Sequence, residues 1–232
     1  MSKRLLIAEV EARIDAWQRI LENKKRESTP KIKALTITIS REFGCEGYPL
    51  AERLKTILEE KTGEEWVIFD RALIEQAAME LEISSSKIKM IEERFRFFDF
   101  FSSFFPKSYT KNQLMNQLSE YILNVAKIGN AIIVGRGGAY ITRKLDNCFH
   151  FRLVAPLDFR ITSISKRLEI NEESAEKFIF ENSRKREEFL DDFFGNFIND
   201  PQYFDAIFNN QKMDLELITQ CILKCIESKL KK

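Results

Sequence analysis

Two hydrophobic rhythms alternate along the chain: short apolar, β-branched runs, and longer stretches whose apolar residues recur every three or four positions. The first long stretch covers residues 4–26. There Leu6, Val10, Ile14, Trp17 and Leu21 trace one seam of an amphipathic helix. The polar stretch 23–31, with Pro30, closes it. This helix has its own linker, so it either packs on its own domain or offers its seam to a partner. Residues 34–40 then read as a strand, Phe43–Gly47 as a glycine-containing turn, and 48–63 as a helix with Leu50, Leu54, Ile57 and Leu58 on one face. Pro49 suits the first helical position and Gly63 the stop.

The alternation continues to the C-terminus. Strands are expected over 66–70, 130–134, 147–155 and 202–210, and helices over 71–83, 84–95, 111–129, 157–168, 172–194 and 213–230. Five strands, apolar on both faces, need helices on both sides. With right-handed crossovers the prediction is a three-layer α/β/α sandwich around an about five-stranded parallel sheet. The division is an N-terminal helix and linker over 1–30 and an α/β domain over 31–232. One segment breaks the rhythm. Residues 95–110 carry Phe95, Phe97, Phe98, Phe100, Phe101, Phe104 and Phe105 with neither helical nor strand period. A patch this dense is expected to be an oligomer contact or a flap over the cleft, the alternative being a buried loop or core helix.

Composition narrows the function. Lys plus Arg number 37 and Asp plus Glu 36, so overall charge gives no case for nucleic acid or an anionic membrane. No apolar run of about 18 residues exists to span a bilayer, and the first residues lack a signal core, so a cytoplasmic location is expected. The cysteines Cys45, Cys148, Cys221 and Cys225 match no zinc spacing, and His150 is the single histidine. No metal site is expected of them, and buried thiols are. His150 lies in an apolar run and reads as a strand residue, which argues against a histidine-dependent hydrolase.

Ligands of open parallel sheets bind beyond the C-terminal ends of the strands. The polar and glycine-rich turns fall there: Ser40–Gly47, Asp70–Arg71, Gly135–Gly138 and Asn209–Asn210. The first leads into a helix N-terminus, whose amides suit phosphate oxygens. Arg136 directly follows a strand and is placed to fork a phosphate. Arg160, Arg167, Arg184 and Arg186 lie on the next two helices, either solvated or converging as a lid. Read blandly, Asp70 is a helix cap and the glycines are tight turns without a ligand.

In order along residues 34–228, the segments Ile39-Ser40-Arg41-Glu42-Phe43-Gly44, Phe69-Asp70-Arg71-Ala72-Leu73-Ile74, Val134-Gly135-Arg136-Gly137, Val154-Ala155-Pro156 with Arg160, Asn182 to Phe189, and Tyr203-Phe204-Asp205 with Asn209 resemble the cytidylate kinase-like family of P-loop proteins. The resemblance implies a nucleoside-monophosphate-kinase-like fold and ATP with Mg²⁺. It implies a triphosphate loop of Ser40, Gly44, Cys45, Glu46, Gly47 and Tyr48. Asp70, Gly135, Arg136 and Gly137 would face a small-molecule nucleotide acceptor, and Arg160, Arg184 and Arg186 would clamp the transferring group.

The sequence departs from that pattern. Tyr48-Pro49 follows Gly47, so the phosphate-binding lysine and the hydroxyl after it are missing. Arg41 is the candidate to replace the lysine's charge. Glu46 stands where the family has a glycine. A carboxylate about 4 Å from a phosphate charge costs roughly 4 kcal/mol at an effective dielectric of 20, so Glu46 points away or triphosphate binding is weak. Asn182 or Ser183 stands where the lid tends to carry Asp. Three readings follow: a phosphotransferase, a catalytically silent nucleotide or phosphate binder, and a scaffold acting through the first helix and the Phe-rich segment.

Overall fold

The computed structural model describes residues 3–26, 34–70, 111–194 and 200–230. The helices expected over 71–83 and 84–95, Arg71 and the Phe-rich segment lie outside the described residues.

Five strands, β1 (Thr36–Arg41), β2 (Val67–Phe69), β3 (Ala131–Val134), β4 (Cys148–Val154) and β5 (Ala206–Asn209), form one sheet in the order β2-β3-β1-β4-β5. Every pairing is parallel, and Ile37 of β1 stands in register with Ile132 of β3 and Phe149 of β4. The described helices are α1 (Lys3–Arg26), α2 (Gly47–Thr62), α3 (Lys111–Ile128), α4 (Gly138–Thr142), α5 (Leu157–Leu168), α6 (Glu172–Phe194) and α7 (Leu215–Leu230).

The strands carry apolar residues on both faces, and each face has its own helices. Ile37, Ile39, Ile132, Val134, Phe149 and Phe151 point to one side, where Leu50, Leu54 and Leu58 of α2 and Ile218, Ile222 and Ile226 of α7 cover them. Val67, Phe69, Ala131 and Ile133 point to the other, under α1, α3 and the end of α6. This is the expected three-layer sandwich. A smaller apolar cluster, Ile164, Ala175 and Ile179, ties α5 to α6. His150 is a buried strand residue, its Nδ1 2.8 Å from the Thr38 hydroxyl. The four cysteines are free thiols, with Cys45 and Cys148 buried. Among the described residues no helix is long and apolar enough to cross a membrane.

Helix α1 packs on its own chain, with the seam turned from the expected one. Ala16, Trp17 and Ile20 are buried, while Ile14 and Leu21 only flank them. The Trp17 ring meets Phe69 of β2 edge to face at 4.9 Å. Arg13 lies one turn before Trp17 and shares its face. The seam residues alone cannot fix this angle, because β2 is itself apolar on the facing side.

The boundaries follow local chemistry. Helix α2 starts at Gly47, one residue before the expected start, which puts Pro49 in the first turn, where its missing N–H costs no intrahelical bond. Gly63 ends it at φ 70°, donating its N–H to the Glu59 carbonyl. Gly129 ends α3 the same way at φ 79°, but there a Cβ would stand 2.3 Å from the Ala34 carbonyl oxygen. Around Gly63 nothing lies within 4 Å. Gly63→Ala is therefore expected to cost about 1 kcal/mol, the left-handed backbone alone. Gly129→Ala should cost about 3 kcal/mol, lowering the thermal midpoint by roughly 6–12 °C. Equal losses in melts of the two variants would show that Ala34 does not constrain Gly129.

Candidate functional site

β1 lies between β3 and β4 and runs parallel to both, so the loops after β1, β3 and β4 meet at one end of the sheet. Arg41 closes β1, and its side chain crosses that end between two glycines. A Cβ on Gly47 would lie 3.2 Å from Arg41 Cδ, and one on Gly135 only 1.9 Å from Arg41 Nη1. Both glycines thus line the path of one arginine, Gly47 against its stem and Gly135, left-handed at φ 81°, against its guanidinium tip.

The turn after β1 is braced from β4. Glu42 donates its N–H to the Leu153 carbonyl, and its Oε2 accepts the Ala155 N–H at 3.0 Å. Gly44, at φ 100°, lies directly under Arg160: an added Cβ would stand 2.6 Å from Arg160 Cβ. The Arg160 guanidinium donates to the Ala155 carbonyl at 3.0 Å and the Phe43 carbonyl at 3.2 Å. Arg160, expected as a clamp, is directed at the backbone of the turn.

Two of the turn's amides are committed inside the chain. Cys45 N–H donates to the Glu42 carbonyl and Glu46 N–H to Asn210 Oδ1, at 3.2 and 2.8 Å. Asn210 Nδ2 donates in return to Glu46 Oε2 at 3.0 Å. The Glu46 carboxylate is therefore turned toward the residue that follows β5. Ser40 is buried at the end of β1, and Tyr48 is half-buried against the α2 face of the core. Burial and the Glu42 carboxylate push the Cys45 thiol up to about 11, which keeps it neutral at ordinary pH.

The turn after β3 is held in an uncommon conformation. Gly135, Arg136 and Gly137 are all left-handed, at φ 81°, 58° and 68°. For the non-glycine Arg136 this is a strained backbone, on the order of 1 kcal/mol. A Cβ on Gly137 would strike the Phe194 ring at 2.4 Å. The turn sends the Arg136 guanidinium over Phe189 of α6, 6.0 Å from the ring centroid.

These turns and α6 assemble a cationic cluster. Arg186 of α6 is half-buried, and burial together with Arg41, Arg152 and Arg136 pulls it down to about 9. Arg41 is lowered by burial and by Arg167, with Asp70 opposing. Arg152 is lowered by burial, with Glu42 opposing, and its guanidinium lies 5.7 Å over the Phe204 ring. Three neighbouring cations bearing on a half-buried fourth make a site that favours an anion with distributed charge.

Arg184 does not join the cluster. Its side chain is 73% exposed and pairs with Glu188 at 3.8 Å on the outer side of α6. Residues two apart on a helix point about 200° apart, so only one of Arg184 and Arg186 can face inward. Asp70, just past β2, is met by Arg13 of α1, whose Nη1 lies 3.3 Å from Asp70 Oδ1. Three participants escaped the sequence reading as site residues. Arg152 had a signal, a lone cation in the apolar strand run 148–154. Asn210 stood in one of the expected strand-end turns, but neither its pairing with Glu46 nor that of Arg13 with Asp70 had a signal, since the partners lie 164 and 57 positions apart in the chain.

The sequence matches none of the curated proteins. Among solved structures, an uncharacterized protein from Eubacterium ventriosum ATCC 27560 is 19% identical with a TM-score of 0.61, over 84% of this chain and 99% of that one. A shikimate kinase from Bacteroides thetaiotaomicron is 12% identical with a TM-score of 0.47, over 83% of this chain and 98% of that one. The model of the cytidylate kinase-like family matches residues 36–212, from the first residue of β1 to just beyond Asn210. Together with the parallel strand order and the glycine turns after β1 and β3, this match makes the chain a member of the cytidylate kinase-like family, built on a parallel three-layer α/β/α sandwich.

Proposed function

We propose that the protein is a nucleotide-binding phosphotransferase that moves a phosphoryl group from ATP to a small phosphate-bearing acceptor. The observation that carries this reading is the cluster of Arg41, Arg136, Arg152 and Arg186 beside the turn 44–47, where burial and the other three cations lower the basicity of Arg186. Phosphoryl transfer needs little from the protein beyond positioning and charge neutralisation. A triphosphate would supply the negative charge that these arginines lack in one another. In this reading Arg41 takes the place of the missing lysine, and Arg186 reaches the transferring group from α6. Arg136, aimed by its left-handed backbone, serves the acceptor side with Asp70, and Gly135 and Gly137 permit that turn. Arg160 shapes the triphosphate turn rather than gripping a phosphate.

Among the described residues no group of three or more His, Cys, Asp or Glu side chains is placed to hold a metal. Mg²⁺ would therefore arrive on the triphosphate, as it commonly does, with Glu42, Glu46 or Asp70 as the nearest carboxylates to share it. Bound there, the ion would offset charge on the phosphate oxygens.

A second reading, a silent binder that holds a nucleotide or phosphate without transferring it, has its own support. The Cys45 and Glu46 amides are occupied by Glu42 and Asn210, so a triphosphate would meet a cradle already partly filled.

The assay that separates the two is incubation with labelled ATP and Mg²⁺ across nucleoside monophosphates and nucleosides. Transfer to one acceptor is expected, reduced roughly 100-fold or more in Arg136→Ala. A folded protein that labels no acceptor would favour the silent binder.

The charge cluster makes a separate prediction. Burial among the other arginines pulls Arg186 well below the usual arginine range, to about 9, so the cost of keeping it charged is present below about pH 9 and fades as pH rises above it. At neutral pH and without anions, Arg186→Met is expected to melt about 2–4 °C higher than the unsubstituted protein, the equivalent of about 1 kcal/mol. That gap should shrink above about pH 9. Inorganic tripolyphosphate should raise the midpoint of the unsubstituted protein and leave that of the variant nearly unmoved. A variant less stable at every pH would mean that the cluster is not strained by its own charge.

A further inference from the structure

Helix α1 precedes the family-matched region, which begins at residue 36, yet it places a guanidinium at the end of β2. Arg13 Nη1 lies 3.3 Å from Asp70 Oδ1 and donates to the Ile68 carbonyl at 3.2 Å. The two side chains are 13% and 22% exposed, so water screens the pair only in part. The arginine is seated by its own helix. One turn on, Trp17 stacks edge to face on Phe69, and Ala16 and Ile20 bury beside it. The cost of this seat is visible: Arg13 Nε is buried with no hydrogen-bond partner among the described residues. A side chain chosen only for packing would avoid that cost.

Asp70 has a second cation within its field. It is the carboxylate that acts on Arg41, the arginine threaded between Gly47 and Gly135. Arg13, by direct contact, and Arg41, through its field, thus both draw on one carboxylate. If Asp70 turned wholly to Arg41, it would occupy the guanidinium as an internal anion and exclude a phosphate from it.

We propose that Arg13 is a positioning residue of the site: it holds the Asp70 carboxylate on the acceptor side and so leaves Arg41 open to a polyphosphate. The proposal rests on the phosphotransfer reading given above and extends its machinery to the helix outside the matched region. It differs from a purely structural ion pair in one respect. Loss of Arg13 must act on anion binding through Asp70, and its effect must vanish when Asp70 carries no charge.

The test is a double-mutant cycle in the full chain, with inorganic tripolyphosphate as the probe and calorimetry as the readout. Arg13→Met keeps the apolar stem and removes the guanidinium. It is expected to weaken tripolyphosphate binding about tenfold, the scale of rearranging one partly buried ion pair. In the Asp70→Asn background the same substitution should change the affinity by less than about twofold. Should Arg13→Met not fold, Arg13→Gln replaces it, since its amide can still donate to the Ile68 carbonyl. Equal losses in both backgrounds would mean that Arg13 contributes only its charge and would overturn the proposal, as would an unchanged affinity in Arg13→Met. Failure of the unsubstituted protein to bind tripolyphosphate would instead overturn the phosphotransfer reading, and this proposal with it.

Discussion

The architecture of the strand ends depends on the passage of Arg41 across the sheet's end. Its guanidinium leaves β1, passes the start of α2 and reaches the turn after β3, and at each crossing it lies against a glycine. Gly47 and Gly135 are absent side chains in that sense, since a methyl group at Gly135 would lie 1.9 Å from Arg41 Nη1. Around this path the rest is arranged by repulsion. Arg136, Arg152 and Arg186 arrive from three different elements and leave Arg186 with a basicity near 9. A folded chain tolerates such crowding only while its core supplies the stability, and here two apolar clusters on opposite faces of the sheet do so.

The turn after β1 shows how the same end of the sheet is kept rigid. Arg160 lies on Gly44 and donates to the Phe43 and Ala155 carbonyls, while Glu42 takes the Ala155 amide. The first turn and the start of α5 are thus one braced unit, with the Cys45 thiol enclosed inside it. Asn210 joins a third element by exchanging two hydrogen bonds with Glu46. What the turn gains in definition it loses in open amides, and this bears directly on how a phosphate would enter.

Much of the fold was legible in the sequence, because burial on both faces of a parallel sheet leaves runs that few other structures explain. The runs around Ile37, Ile132 and Phe151 became β1, β3 and β4, and α5 and α6 begin and end where periodicity placed them. The turns holding Gly44, Gly135 and Arg136 were legible for the same reason, since they end the runs. The site's wiring was less so. Arg184 and Arg186 are equivalent on paper and face opposite ways in space, because helical phase depends on what α6 packs against. Arg160 became a brace because Gly44 leaves space for its stem, a contact spanning 116 positions. Glu46 was recognisable as an anomaly, but the asparagine that answers it lies beyond β5. Interactions between distant turns have no local signature, and this site is made of them.

The Arg13 contact to the Ile68 carbonyl has one more consequence. Among the described residues β2 is a border strand, with β3 on one side only. Val67 gives its N–H to Asn130, toward β3, so the next residue's carbonyl faces outward. Outward carbonyls at a sheet border invite a strand from another molecule, the route by which β proteins stick together. Arg13 sits on that carbonyl with a positive charge, so an incoming strand would have to displace a guanidinium already bonded there. The helix α1 thereby supplies a donor to an outward carbonyl of β2.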